Sequence, residues 1–327
     1  MNRRSTTVGL VALGVASLVA KAQKPTSLLR IGYLGTSSAS LEPKYVEAFR
    51  QRLHELGYVE GRDIAIEYRW AEGQDERLPN LAIELVRLDP LVIVTTGTPG
   101  AIAAKQATKT IPIVMASSAD PVRSGLVASL ARPDGNVTGL TILGSELEGK
   151  RLEILQQAIP RLTRVAVLWN TANPGVTTYY RAMQVASQAL HVTLAPVTAV
   201  RREEDFTAAL STIASARPDA LAVIADRFLL AHRTRIVEFA AARRLPTMYP
   251  YKEYVDAGGL MSYAPSSIDL FRGAATYVDK IIKGARPGDL PIQEPTKYEL
   301  VINVKTARTL GLTLPQALLI RADELLE

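Results

Sequence analysis

The groups able to do chemistry in this chain are hydroxyls, amides and carboxylates that gather where apolar runs end. Gly35-Thr36-Ser37-Ser38 follows LLRIGYLG, and Thr95-Thr96-Gly97-Thr98-Pro99-Gly100 follows LVIV. Ala116-Ser117-Ser118-Ala119-Asp120-Pro121 closes IPIVMAS. Further on, Asn170-Thr171-Ala172-Asn173-Pro174-Gly175 follows RVAVLWN, and Asp226-Arg227 follows ALAVIAD. Each loop alone is an ordinary set of helix caps, in which Ser, Thr, Asp or Asn accepts from free N–H groups. Five of them at equivalent ends of similar units are better explained together, as the wall of a ligand cleft. Such groups hold a solute by hydrogen bonds; they do not attack it. Gly97 and Gly100 let backbone approach a ligand beside Thr98, and the helix that begins there favours an anion such as a carboxylate. Asp226 ends a strand expected to be buried, where a carboxylate needs a partner, and a ligand amine would be one.

Catalytic raw material is scarce. The chain has no Cys and three His, His54, His191 and His232, which share no short spacing. Disulfides, Cys-ligated metals, cysteine nucleophiles and a lipid-carrying N-terminal Cys are therefore out, and no metal site, cofactor or catalytic residue is expected. No GxGxxG, GxSxG or HExxH occurs. Gly144-x4-Gly149-Lys150 resembles part of a phosphate loop, but Arg151 stands where Ser or Thr is required, and the segment reads as a helix start. Of the 327 residues 47% are hydrophobic and 21% charged, an ordinary globular balance with room for two domains.

The elements that must position these loops alternate regularly. From residue 29 short apolar strands alternate with amphipathic stretches: Pro43 to Gly57, Leu78 to Pro90, Pro99 to Thr108 and a short helix from Asp120 to Leu130. The rhythm restarts with a helix from Glu146 to Ile159 and continues through helices over Val176–Leu190, Glu203–Arg217 and Phe228–Arg244. Later strands cover Pro246–Pro250 and Gly258–Pro265, around a short helix Lys252–Ala257. Strand and helix in strict alternation give parallel sheets covered on both faces. The expected fold class is α/β, two doubly wound parallel-sheet lobes with a ligand cleft between them. Lobe one takes residues 30–140 and about 266–290; lobe two takes 141–265 and about 291–327, ending in an acidic helix end. Ligands in such sheets sit outside the carboxyl ends of the strands. That places Thr36, Ser37, Thr96, Thr98, Ser117, Asp120, Asn173 and Asp226 in the cleft, with Tyr251 and Tyr263 as candidate aromatic walls.

The first 22 residues read as an address. Arg3 and Arg4 precede a 13-residue apolar run, Val8 to Ala20, and Ala20-Lys21-Ala22 suits signal peptidase. The run is too short to cross a ~30 Å bilayer as a helix, and no later stretch is longer. After cleavage near Ala22 the balance is 35 Lys and Arg against 32 Asp and Glu, a net +3 with no concentrated basic face, so nucleic acid is not an expected partner.

From about Arg30 to its end the chain resembles the ABC-transporter substrate-binding proteins that include the tryptophan/phenylalanine-binding lipoproteins, with the type I periplasmic-binding-protein fold. The segments that carry the resemblance are RIGYLG, FRQRLHELGYVEGRDIAIEYRWAEG, DPLVIVTTGTPGAIAAKQATKTIPIVMASSADPV, GLVASLARPDGNVTGL, KRLEILQQAIP and KYELVINVKTARTLGLTLP. The resemblance implies lobes that close around a small polar solute, amino-acid-like or otherwise carboxylate-bearing, and a monomer that delivers it to an inner-membrane ABC permease. It also implies a binding role for Thr96, Thr98, Ser117, Asp120 and Asp226. Without a lipid-carrying Cys the mature protein is expected free in the periplasm. An alternative is a ligand sensor that docks on a membrane receptor or kinase. Two departures argue against an aromatic amino acid as ligand: Arg227 follows Asp226 where those relatives tend to have Asn, and Gly35–Ala39 is small and polar.

Overall fold

The computed structural model describes residues 28–142 and 145–327; the expected signal peptide lies outside them. The first lobe is built by β1 (Leu29–Gly35), α1 (Pro43–Glu55), β2 (Ile64–Trp70), α2 (Leu78–Arg87), β3 (Val92–Thr96), α3 (Gly97–Ala107), β4 (Ile113–Ser117) and β5 (Val137–Gly139). Its five strands are all parallel, in the order β2-β1-β3-β4-β5. The apolar runs over β3 and β4 are buried at every position, as strands covered by helices on both faces must be.

The second lobe holds α4 (Ser145–Ala158), β6 (Arg164–Trp169), α5 (Thr177–Ala189), β7 (Thr193–Ala199), α6 (Asp205–Ala216) and β8 (Ala220–Val223). It continues through α7 (Arg227–Ala231), α8 (Arg233–Ala242), β9 (Thr247–Tyr249), α9 (Lys252–Asp256) and β10 (Met261–Pro265). The chain then forms α10 (Ser267–Ile282), which packs on α1 and β4 of the first lobe. The segment after α10 runs beside β5, where Gln293 donates its N–H to Gly139 and Thr141 donates to Gln293. The chain ends as β11 (Tyr298–Asn303), α11 (Val304–Leu310), α12 (Gln316–Arg321) and β12 (Glu324–Leu326). The second sheet runs β12-β11-β10-β9-β8-β6-β7, parallel except for the β10–β11 pair. Its axis is thus the restarted alternation, widened by the C-terminal strands.

Three local expectations fail. Asp120–Leu130 is a series of turns rather than a helix: Gly125 sits at φ +72°, and Leu126 and Val127 both donate to Pro121. The helix expected over 228–244 is two, because His232 leaves helical geometry between α7 and α8, its ring held at 4.8 Å from both Phe206 and Phe228. The acidic C-terminal end is a strand, β12, because the β11 edge offers it backbone partners from Val301 to Asn303. Among the described residues no helix is long and apolar enough to cross a membrane, and no group of His, Asp and Glu could hold a metal ion.

Candidate functional site

The carboxyl ends of the two sheets face each other and touch. Strands β1, β3 and β4 present Thr36 and Ser37, Thr98, and Ser117; β6, β8 and β9 present Asn173, Asp226 with Arg227, and Tyr251. All are buried. Contact across the lobes is close. A Cβ on Gly175 would stand 2.8 Å from Thr98 Oγ1 and 2.9 Å from Ala119 Cβ, and one on Gly97 would stand 3.4 Å from Arg227 Cγ.

In the first lobe the hydroxyls brace one another. Thr96 Oγ1 accepts from the Thr36 N–H at 3.0 Å and lies 3.2 Å from Thr36 Oγ1, tying the end of β3 to the end of β1. Thr98 Oγ1 accepts from the Ala119 N–H at 3.0 Å and lies 3.2 Å from Ser118 Oγ. Gly97 makes this path possible by taking φ +70°, from which α3 starts. Ser37 gives its carbonyl to the Glu72 N–H. Asp120 accepts from the Arg123 N–H at 3.0 Å, so its carboxylate caps the turns that follow.

In the second lobe the expectation for Asp226 meets a different outcome. Its partners come from the protein: Asn173 donates to Oδ2 at 2.8 Å, Asn170 to Oδ1 at 3.2 Å, and the Leu229 N–H to Oδ1 at 3.0 Å, as the N-cap of α7. Burial pushes this carboxyl up, and those hydrogen bonds oppose the shift. Asp226 therefore fixes the start of α7 and the Asn170–Gly175 loop. What it aims across the gap is the next side chain.

Arg227 is 5% exposed and reaches into the first lobe. Its Nη2 donates to Ser117 Oγ at 3.0 Å, and its Nη1 lies 3.9 Å from Glu42 Oε1. The guanidinium is ringed by aromatics, its carbon 5.2 Å from the Tyr251 ring centre, 5.6 Å from Tyr45 and 5.8 Å from Phe271. Nε and Nη1 have no hydrogen-bond acceptor, and the Glu42 carboxyl has no donor but the Tyr33 hydroxyl beside it. Glu42 is 1% exposed; burial pushes its carboxyl up, and the Arg227 charge pulls it down. Buried polar atoms with nothing to bond are costly, ~1–3 kcal/mol each and more when charged, so this group is incomplete without further partners.

Tyr251 is held by a second buried pair. Glu148 accepts from Arg151 Nη1 at 2.5 Å; Arg151 also donates to the Tyr263 carbonyl at 2.8 Å and the Pro250 carbonyl at 3.4 Å, fixing the loop that carries Tyr251. Tyr263 itself is not brought into this group: its ring lies against Tyr298, 5.9 Å between centres.

Glu42, Tyr45, Phe271 and Arg151 were not among the residues expected from sequence. Glu42 precedes Pro43 at a helix start and reads as a cap; it takes the cap position of α1 but makes no capping bond there. Tyr45 and Phe271 read as core positions of amphipathic helices. Only Arg227 left a trace, as the residue after Asp226. The aromatic walls thus come from α1, the β9–α9 loop and α10, whatever the polarity of Gly35–Ala39.

Residues 38–326 match the family described as ABC transporter substrate binding protein. The chain is 25% identical to a tyrosine-binding protein of Clostridioides difficile (strain R20291) over 82% of this chain and 77% of that one. In structure it is similar to a conserved domain protein from Vibrio cholerae (26% identity, 90% of this chain and 99% of the other, TM-score 0.86). The likeness is the same, TM-score 0.86 at 24% identity over 92% and 100%, to an ABC domain in complex with L-Trp from Streptococcus pneumonia. Against the ligand-free, open structure of a Clostridium difficile substrate-binding protein with adhesive properties, the TM-score is 0.66 at 21% identity over 91% and 99%.

Proposed function

The chain belongs to the ABC transporter substrate-binding protein family, whose members bind solutes, and from that premise we propose that it captures a small carboxylate-bearing solute between its lobes by closure. The observation that carries this reading is Arg227: a buried guanidinium, sent from one lobe into the other, with two N–H positions unpartnered. A ligand carboxylate accepts a charge-assisted hydrogen bond from Nε or from Nη1, each of which is free. Glu42, with only the Tyr33 hydroxyl beside it, keeps more acceptor capacity than Asp226, so an amine on the same ligand has a partner, and an amino-acid-like solute fits both groups. Tyr45, Tyr251 and Phe271 supply apolar walls beside the charge. The names of relatives that bind tyrosine and L-Trp agree with this class.

Ligand and closure are linked through differential affinity. A solute that touches Ser117 and Glu42 of one lobe and Arg227 of the other binds only the geometry that brings them together, and so stabilises it. Greater likeness to the L-Trp complex than to the open, ligand-free structure supports reading the present lobe arrangement as the closed one. The closed protein, with lobes made of residues 30–140 plus about 266–290 and 141–265 plus about 291–327, then delivers its cargo to an inner-membrane ABC permease from the periplasm, as a monomer.

The test is isothermal titration of the chain against amino acids and simple carboxylates, each paired with its neutral amide. Carboxylates are expected to bind and their amides to fail. Arg227→Met, which keeps the apolar stem between the rings, should weaken binding at least ~30-fold, since truncating one partner of a buried charged contact costs ~2–5 kcal/mol, at ~1.4 kcal/mol per tenfold. Equal binding of carboxylate and amide, unchanged in Arg227→Met, would overturn the assignment.

A further inference from the structure

A second cavity lies beside the cleft, behind Tyr45. It encloses about 530 Å³, within the ~300–1,000 Å³ of small-molecule sites. Both lobes form it: residues 40–45 around the start of α1 on one side, α9 and β10 on the other, with Pro265–Ile268 crossing between. Tyr45 lines this cavity while its ring stands 5.6 Å from the Arg227 guanidinium.

Its wall carries two polar atoms without a hydrogen-bond partner. Ser262 on β10 is wholly buried, and its Oγ has no hydrogen-bond partner. Glu253 on α9 has Oε2 buried and unpartnered. Burial, with the neighbouring Asp256 and Glu42 charges, pushes the Glu253 carboxyl up to about 7, against hydrogen bonds from its own backbone and from Ser267. A strand residue in the middle of a sheet has no structural need of an unbonded hydroxyl, and such a group marks a place where a partner is missing. The other acids of the wall are already engaged: Asp256 and Glu324 hold Lys252 at 2.6 and 3.0 Å, and Glu299 is held by Lys297 at 3.0 Å. On the remaining side Lys44 and Arg233 line the cavity without an ion pair among the described residues.

We propose that this cavity is a second binding site, for a small zwitterion whose ammonium group donates to Glu253 and Ser262 and whose anionic end lies toward Lys44 and Arg233. Because residues of both lobes and of the crossing segment line it, its occupant binds best to the present lobe arrangement and favours it, which couples this site to the cleft. The site stands independently of what the cleft binds.

The probe is γ-aminobutyrate, with butyrate and butylammonium as its singly charged controls, titrated calorimetrically into the full chain. Tighter binding of γ-aminobutyrate than of either control is expected. Glu253→Gln and Ser262→Ala should each weaken it at least ~10-fold, whereas binding that belongs to the cleft is weakened by Arg227→Met and by neither of these two variants. If circular dichroism shows Glu253→Gln unfolded, Ser262→Ala decides. No binding at 10 mM probe, binding no better than the controls, or binding unchanged in the folded variants overturns the proposal. Loss in Arg227→Met alone also overturns it and places the probe in the cleft, leaving the cleft assignment intact.

Discussion

A single methyl group at Gly175 tests whether the lobes must touch. The residue lies in the turn after Asn173 and its φ is not positive, so alanine fits its backbone, and the second lobe has no reason to suffer. The cost arises across the gap. The new Cβ would meet Thr98 Oγ1 at 2.8 Å, Ala119 Cβ at 2.9 Å and Thr98 Cγ2 at 3.2 Å. Ala119 has no rotamer to retreat into. Thr98 can rotate only by leaving the Ala119 N–H it accepts from at 3.0 Å, a loss of ~1 kcal/mol. Overpacking of this kind costs ~1–3 kcal/mol. At ~1.4 kcal/mol per tenfold, the population with touching lobes falls ~5- to 150-fold in Gly175→Ala. The chain has no Cys, so two installed cysteines, one on an exposed position of each lobe, carry spin labels without background. The interlobe distances should shift to longer values in Gly175→Ala while the melting of the second lobe stays put. An unchanged distance distribution would refute the reasoning, because the contact would then not define the arrangement.

Two more outcomes follow from the same geometry. Asp75, on the first-lobe loop that meets α7, has its carboxyl pushed up to about 7, first by burial and then by the Asp226 and Glu76 charges. The folded form thus holds a proton that the unfolded chain releases near the ordinary value of 3.8, so stability falls as pH rises from about 4 through about 7. Melting temperatures between pH 5 and 8 should show this slope, shared with Glu253, and Asp75→Asn should flatten its part; an unaltered slope in that variant removes Asp75 from the account. Gly139 sits at φ +123°, and a Cβ there would stand 2.3 Å from the Met115 carbonyl oxygen. Gly139→Ala should destabilise the first lobe by ~2–4 kcal/mol in urea titration, from backbone strain plus overlap, and a change under ~1 kcal/mol would show that β5 can shift away from β4.

The alternation of β and α units, and with it the two sheets and the loops at their carboxyl ends, was legible along the chain because residue period is a local property: apolar runs bounded by Gly, Pro and caps form strands and helices with little reference to the rest. For the same reason Thr36, Thr98, Ser117, Asn173, Asp226 and Tyr251 were found as candidates before any fold was known. The partners of those residues were not legible. Sequence marks Asp226 as a buried carboxylate in need of donors but not whether they come from a ligand or from Asn170 and Asn173. Glu42 looks like a helix cap, and only its burial against Arg227 from the other half of the chain makes it a site residue. The parallel pairing of β12 with β11, where a helix end was expected, was likewise decided by a distant edge left to be covered. Local pattern sets what each segment becomes; which buried charge meets which is set only when segments far apart in sequence exclude water together.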